Sequence, residues 1–135
     1  MIIKSFCKIN LSLRVLKKLR IGLHNIQSNT LLLNLYDTIK INRINKKKDI
    51  VLFRGRFKKL VNKSKNSVFD TMAILRSRGL VKKENRYRII VNKKIPVFSG
   101  LGGGTSNAAF LIKYFVKNKI TNLNLRIFEK KVGSD

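Results

Sequence analysis

A chain of 135 residues with 44% hydrophobic content is one domain's worth of globular protein, long enough to bury roughly two-thirds of the surface that its unfolded form exposes. No apolar run approaches the roughly 20 residues of a membrane-spanning helix, and the N-terminus lacks the unbroken apolar centre of a signal peptide, so a cytoplasmic location without membrane contact is expected. The single cysteine, Cys7, excludes an internal disulfide and a multi-cysteine metal site. There are 31 Lys and Arg against 6 Asp and Glu, a formal charge of +25.

Such a charge suits a polyanionic partner. The basic residues are nevertheless spread over nearly every segment, as at Lys46 to Lys48, Lys58 and Lys59, Lys82 and Lys83, Lys93 and Lys94, and Lys130 and Lys131. They form no single arm and do not alternate with aromatic rings as a stacking platform would. Lys, Asn and Ile are all abundant, the composition that A- and T-rich codons produce. A nucleic-acid partner is therefore not expected, although long-range attraction would assist capture of a small polyanion.

In chain order, Lys4 to Leu13 alternates, with Cys7, Ile9, Leu11 and Leu13 on one face and Lys8, Asn10 and Ser12 on the other. This predicts a half-buried strand whose polar row holds Lys8 and Asn10 about 7 Å apart. Tyr36 and Asp37 read as a turn, and Thr38 to Ile44 as another strand with Ile39 and Ile41 on one face. A charged turn at 45–49 precedes a short apolar strand at Ile50 to Phe53, and 54–65 is a basic loop without an interpretable motif. Ser67 to Asp70 has the form of a capping box, opening a helix with Val68, Phe69, Met72, Ala73 and Leu75 inward that Gly79 closes. Arg86 to Val91 is a strand.

The densest signal follows. Between Pro96 and Ala109 the chain reads P-V-F-S-G-L-G-G-G-T-S-N-A-A, with Gly100, Gly102, Gly103 and Gly104 inside five residues. Such density is costly in backbone entropy, and is expected where φ turns positive or the backbone must approach something closely. Thr105 and Ser106 are able to cap a helix, and Ala108, Leu111, Ile112, Phe115 and Val116 recur at the spacing of a helix core face. A glycine loop feeding a helix N-terminus presents unpaired N–H groups to an anion, commonly a phosphate. It is not a Walker A loop or a G-x-G-x-x-G loop, because neither spacing is present. A last helix is expected from about Asn124, with Leu125, Phe128 and Val132 on one face and its end at Gly133. The element order predicts an α+β (α/β layered) domain with a mostly N-terminal sheet.

The glycine segment resembles P-x-x-x-G-L-G-G-G-[ST]-S-[DN]-A-A, the ATP-binding loop of the GHMP kinases, a superfamily of small-molecule kinases. By that resemblance Pro96, Val97, Phe98, Ser99, Gly100, Leu101, Gly102, Gly103, Gly104, Thr105 and Ser106 bind ATP, with Mg²⁺ near Thr105 or Ser106. F-C-K-I-N-L stands where the family has P-A-K-[IL]-N-L, which implies Lys8 as an active-site lysine and Asn10 as a substrate contact. Gly22, His24 and Gln27 match R-x-D-G-Y-H-x-[IL]-Q-[ST], implying His24 as a partner of a cytosine base, with Leu23 in place of the tyrosine that stacks on it. Gly133-Ser134-Asp135 matches the start of G-[AS]-D-[VI]-P, implying Asp135 as catalytic base, with Lys8 offsetting charge beside it. A neighbouring ammonium favours the ionised carboxylate that a base needs. The triple glycine, K-I-N-L and G-x-H-x-x-Q together imply the small-molecule substrate 4-diphosphocytidyl-2-C-methyl-D-erythritol, phosphorylated at its 2-hydroxyl in isoprenoid precursor synthesis. The implied fold is the ribosomal protein S5 domain 2-like N-terminal domain of the family over 1–135, with the C-terminal domain absent. Three alternatives stay open: another GHMP kinase, such as one for homoserine or mevalonate, a basic nucleic-acid-binding protein, and an inactive fragment.

Overall fold

The computed structural model describes residues 1–20, 22–117 and Phe128. The helix expected from about Asn124 and the candidate base Asp135 lie outside these residues, Phe128 excepted.

β1 (Ile2–Lys18) runs antiparallel to β2 (His24–Ile44). After β3 (Ile50–Arg54) and a short 3-10 turn at Lys58–Leu60, α1 (Ser67–Ser77) leads to β4 (Arg86–Asn92), which lies between β2 and β3. β4 is antiparallel to β2 and parallel to β3. Parallel neighbours need a crossover longer than a hairpin, and α1 supplies it. α2 (Gly103–Val116) packs against α1 and over β1 and β2. The result is a helical layer on a four-stranded mixed sheet, the α+β arrangement expected.

The core lies between the layers. Ile39 and Ile41 of β2, Ile89 and Val91 of β4, Val68, Met72 and Leu75 of α1 and Leu111 and Val116 of α2 form one buried cluster, which Phe128 joins. Fully burying an aliphatic side chain contributes about 1.5–3 kcal/mol, so this cluster is what holds the two helices to the sheet.

Several sequence expectations need correction. Tyr36 and Asp37 are not a turn but lie inside β2, because the Asp37 carboxylate finds donors enough to be buried there. β1 extends well past Leu13, and Leu11 and Leu13 are not core residues but 66% and 55% exposed. Alternation that buries Cys7 is interrupted by a register shift between Asn10 and Ser12, and the β1–β2 ribbon beyond it is exposed along almost its whole length. In α1 the cap is Asn66, one residue before the expected Ser67, and its side chain accepts from the Val68 and Phe69 amides at 3.2 Å each. Ala73 is exposed, and Thr71 and Ile74 are buried in its stead. Gly79 does close the helix. It takes φ +67, and the Gly79 and Leu80 amides return to the Arg76 and Leu75 carbonyls, the paired bonds of a Schellman ending.

Candidate active site

The segment from β4 to α2 lines a cleft of about 480 Å³. It is lined by Pro96 to Thr105 and by Leu60, Val61, Asn62, Lys65, Asn66 and Ser67, with Phe53, Lys93 and Asn107 also lining it. The loop turns through positive φ at Phe98 (62°), Gly100 (75°) and Gly102 (66°). Gly102 occupies the N-cap position of α2 and makes no side-chain cap. The hydroxyls of Thr105 and Ser106, expected as caps, instead sit inside the first turns. A cap of bare backbone leaves the leading N–H groups of α2 open to a ligand, and the helix dipole favours a negative one. Gly103 is needed for packing, since a Cβ there would lie 2.9 Å from the Ile95 side chain. α1 is tied to the loop by Ser67, whose hydroxyl donates to the Gly104 carbonyl at 2.9 Å.

β1 reaches the same loop. The Lys8 amide donates to the Leu101 carbonyl at 3.2 Å, and the Lys8 side chain runs so close to Gly102 that a Cβ there would meet its methylenes at 3.6 Å. One turn into α2, the Ser106 hydroxyl donates to the Phe6 carbonyl and accepts from the Ser5 hydroxyl at 3.0 Å. Ser106 is thereby committed to β1, and Thr105 is the hydroxyl that lines the cleft. Two residues beyond Lys8, the Asn10 Oδ1 accepts from the Ser28 and Thr30 hydroxyls at 3.2 Å each, which orients its amide group and leaves the Nδ2 donors for another partner.

Behind the loop lies a polar network that the sequence reading missed. Asp37 is fully buried, and its carboxylate accepts from the Lys93 ammonium, the Lys94 amide at 2.7 Å, the Ile95 amide at 2.9 Å and the Asn107 Nδ2 at 3.1 Å. Lys93 is itself 4% exposed and lines the cleft floor. The Asn107 Oδ1 is buried with no partner among the described residues. One signal was available in the sequence, because Asn107 falls four residues before Leu111 on the apolar face of α2, where an amide requires an explanation. Lys93 carried no such signal among so many lysines.

His24 is not brought to the loop. It pairs with Lys18 at the exposed far end of the ribbon, ten residues along β1 from Lys8, or roughly 30 Å at strand rise. Among the described residues no cluster of His, Cys, Asp and Glu could hold a metal by itself, and no helix is long and apolar enough to cross a membrane. Cys7, next to Lys8 in β1, is buried, and desolvation is the main cause that raises its thiol above the ordinary 9.0.

A glycine loop capping a helix over a mixed sheet, with a strand lysine laid against it, is the α+β arrangement that the resemblance to the GHMP kinases implied for the fold. The chain superposes on a solved structure described as 4-(cytidine 5'-diphospho)-2C-methyl-D-erythritol kinase with a TM-score of 0.59, 22% identity, 90% of this chain and 42% of that one covered, which establishes the shared fold. In sequence it is similar to the 4-diphosphocytidyl-2-C-methyl-D-erythritol kinases: 37% identical to that of Pelagibacter ubique over 98% of this chain and 47% of the relative, and 36% identical to that of Ureaplasma parvum over 98% and 50%. The chain thus spans about half the length of the curated relatives it matches. No protein-family model matches it.

Proposed function

We propose that this chain is the ATP-binding layer of a kinase that phosphorylates the 2-hydroxyl of 4-diphosphocytidyl-2-C-methyl-D-erythritol. The observation that carries the reading is the meeting of Lys8 with Gly102 at the open N-terminus of α2, in a chain whose relatives bear that enzyme's name over nearly its whole length. Phosphoryl transfer needs the phosphates held, their charge offset and the acceptor hydroxyl aligned. The amides from Gly100 to Ser106 hold the phosphates, and Lys8 offsets charge on the transferring group. Asn10 donates from its oriented Nδ2 to the acceptor substrate, while the cytosine contact that the resemblance implied for His24 is left out of this reading, because His24 lies at the far end of the ribbon from Lys8. Asp135 takes the hydroxyl proton. Mg²⁺ would suit an oxygen-only environment of ATP phosphates and water, the Thr105 hydroxyl would be the protein group to hold it, and it would supply charge neutralisation.

Two measurements test this. Titration calorimetry of the chain with ATP is expected to give saturable binding, and phosphoryl transfer is expected when the chain is fused to the C-terminal half of the Pelagibacter relative. A folded chain without ATP affinity, or a folded fusion that binds ATP and never phosphorylates the 2-hydroxyl, overturns the proposal.

A further inference from the structure

Phe98 is out of place by every local rule. Its φ of 62° is one that bulky side chains rarely adopt, and the other two positive-φ positions of the loop are glycines. A hydrophobic ring placed there is expected to turn inward and recover some of that cost, yet Phe98 is 95% exposed. The loop holds it so. The Ser99 hydroxyl donates to the Pro96 carbonyl at 2.9 Å and accepts from the Leu101 amide at 3.4 Å, while the Leu101 carbonyl is bonded to β1. None of the aromatic pairs or cation contacts among the described residues uses this ring. It nevertheless lines the cleft, together with the glycines of the loop and with Leu60 and Val61.

Strain of this kind persists where surrounding structure over-determines it, and it concentrates at ligand clamps. A nucleotide seated with its phosphates on Gly102 to Thr105 extends its base along the cleft, and an exposed aromatic ring among the lining residues offers a flat apolar face to stack on. We infer that Phe98 is the stacking platform for the adenine of ATP, a specificity-determining residue of the donor site. The inference rests on the ATP reading proposed above.

Because stacking acts on the base and not on the phosphates, the test compares ligands with and without a base. The wild-type chain and the variants Phe98→Gly and Phe98→Tyr are titrated with ATP, inorganic tripolyphosphate and CDP. Phe98→Gly suits the backbone angle and removes the ring. It is expected to weaken ATP about fivefold or more, the loss of one base stack, while tripolyphosphate changes less than about twofold and Phe98→Tyr keeps wild-type ATP affinity. Equal weakening of ATP and tripolyphosphate would show a backbone effect and overturn the inference. So would an unchanged ATP affinity, or a loss confined to CDP, which would give the ring to the acceptor substrate. If wild type binds neither ATP nor tripolyphosphate, the site reading itself fails. If it binds both equally, only the stacking assignment does.

Discussion

Replacing Asp37 by alanine is expected to remove a large share of the stability of this fold. The carboxylate is fully buried and accepts from the Lys93 ammonium, two backbone amides and the Asn107 amide group. Its removal strands the Lys93 ammonium, 4% exposed, and breaking a buried ion pair from one side costs about 3–5 kcal/mol. The two backbone amides and the Asn107 amide group left without an acceptor add to this, but not additively, so about 4 kcal/mol is a working figure against a total of roughly 5–15 kcal/mol for a domain. With a urea m-value of about 2 kcal/mol per molar, the unfolding midpoint falls by about 2 M. The assay is urea unfolding followed by circular dichroism. Because the cost comes chiefly from an uncompensated charge, Asp37→Ala combined with Lys93→Met is expected to be more stable than Asp37→Ala alone. A midpoint that moves by less than about 0.5 M in the single variant, or a double variant whose losses simply add, refutes the reasoning.

Lys8→Ala in the fusion enzyme is expected to lower turnover about 100-fold or more, with an unchanged thermal midpoint, because the side chain lies along Gly102 without filling the core; steady-state kinetics and calorimetry check both halves of the statement. Gly55 has φ +87, and a Cβ there would stand 2.4 Å from the Asn92 Oδ1 and 2.6 Å from the Lys93 carbonyl. Gly55→Ala therefore destabilises by about 2 kcal/mol or more, measured by the same urea unfolding. The buried Cys7 thiol keeps its proton in the folded chain to higher pH than in the unfolded chain, so the folded state binds more protons once pH passes 9.0. Stability is full below that value and declines above it. The difference between wild type and Cys7→Ala, followed from about pH 8 to about pH 11, isolates the decline from lysine titration, and parallel curves would contradict it.

What the sequence made legible was periodicity and punctuation. The glycine cluster, the core face of α2, the strand that puts Ile39 and Ile41 on one face and the Gly79 stop each arise from local rules that a short window contains. Asp37 was misread because an aspartate beside a tyrosine looks like a turn until its four donors are known, and three of these come from Lys93 to Ile95, more than fifty residues away. The helix cap went to Asn66 and not to Ser67, because Asn66 holds the extended backbone of a cap and its side chain accepts from the Val68 and Phe69 amides, while Ser67 is already the first helical residue. Leu11 and Leu13 looked like core from alternation alone, which cannot say whether any layer covers that part of a strand. For the site, the residue types of the loop and of Lys8 were readable, but their contact across about ninety residues of chain was not.

The tether between β1 and the glycine loop has a kinetic meaning. With the Leu101 carbonyl held by the Lys8 amide and the Ser106 hydroxyl held by the Phe6 carbonyl, β1 at Lys8 and the glycine loop are tied to each other at two points, and on the proposed ATP reading they meet the nucleotide as one unit. Their mutual orientation is set when the chain folds, so an arriving nucleotide has little ordering entropy to overcome on this side. Nucleotide arrival should then follow a single exponential phase whose rate rises linearly with concentration, and substitutions in the cradle should be felt chiefly as shorter residence times.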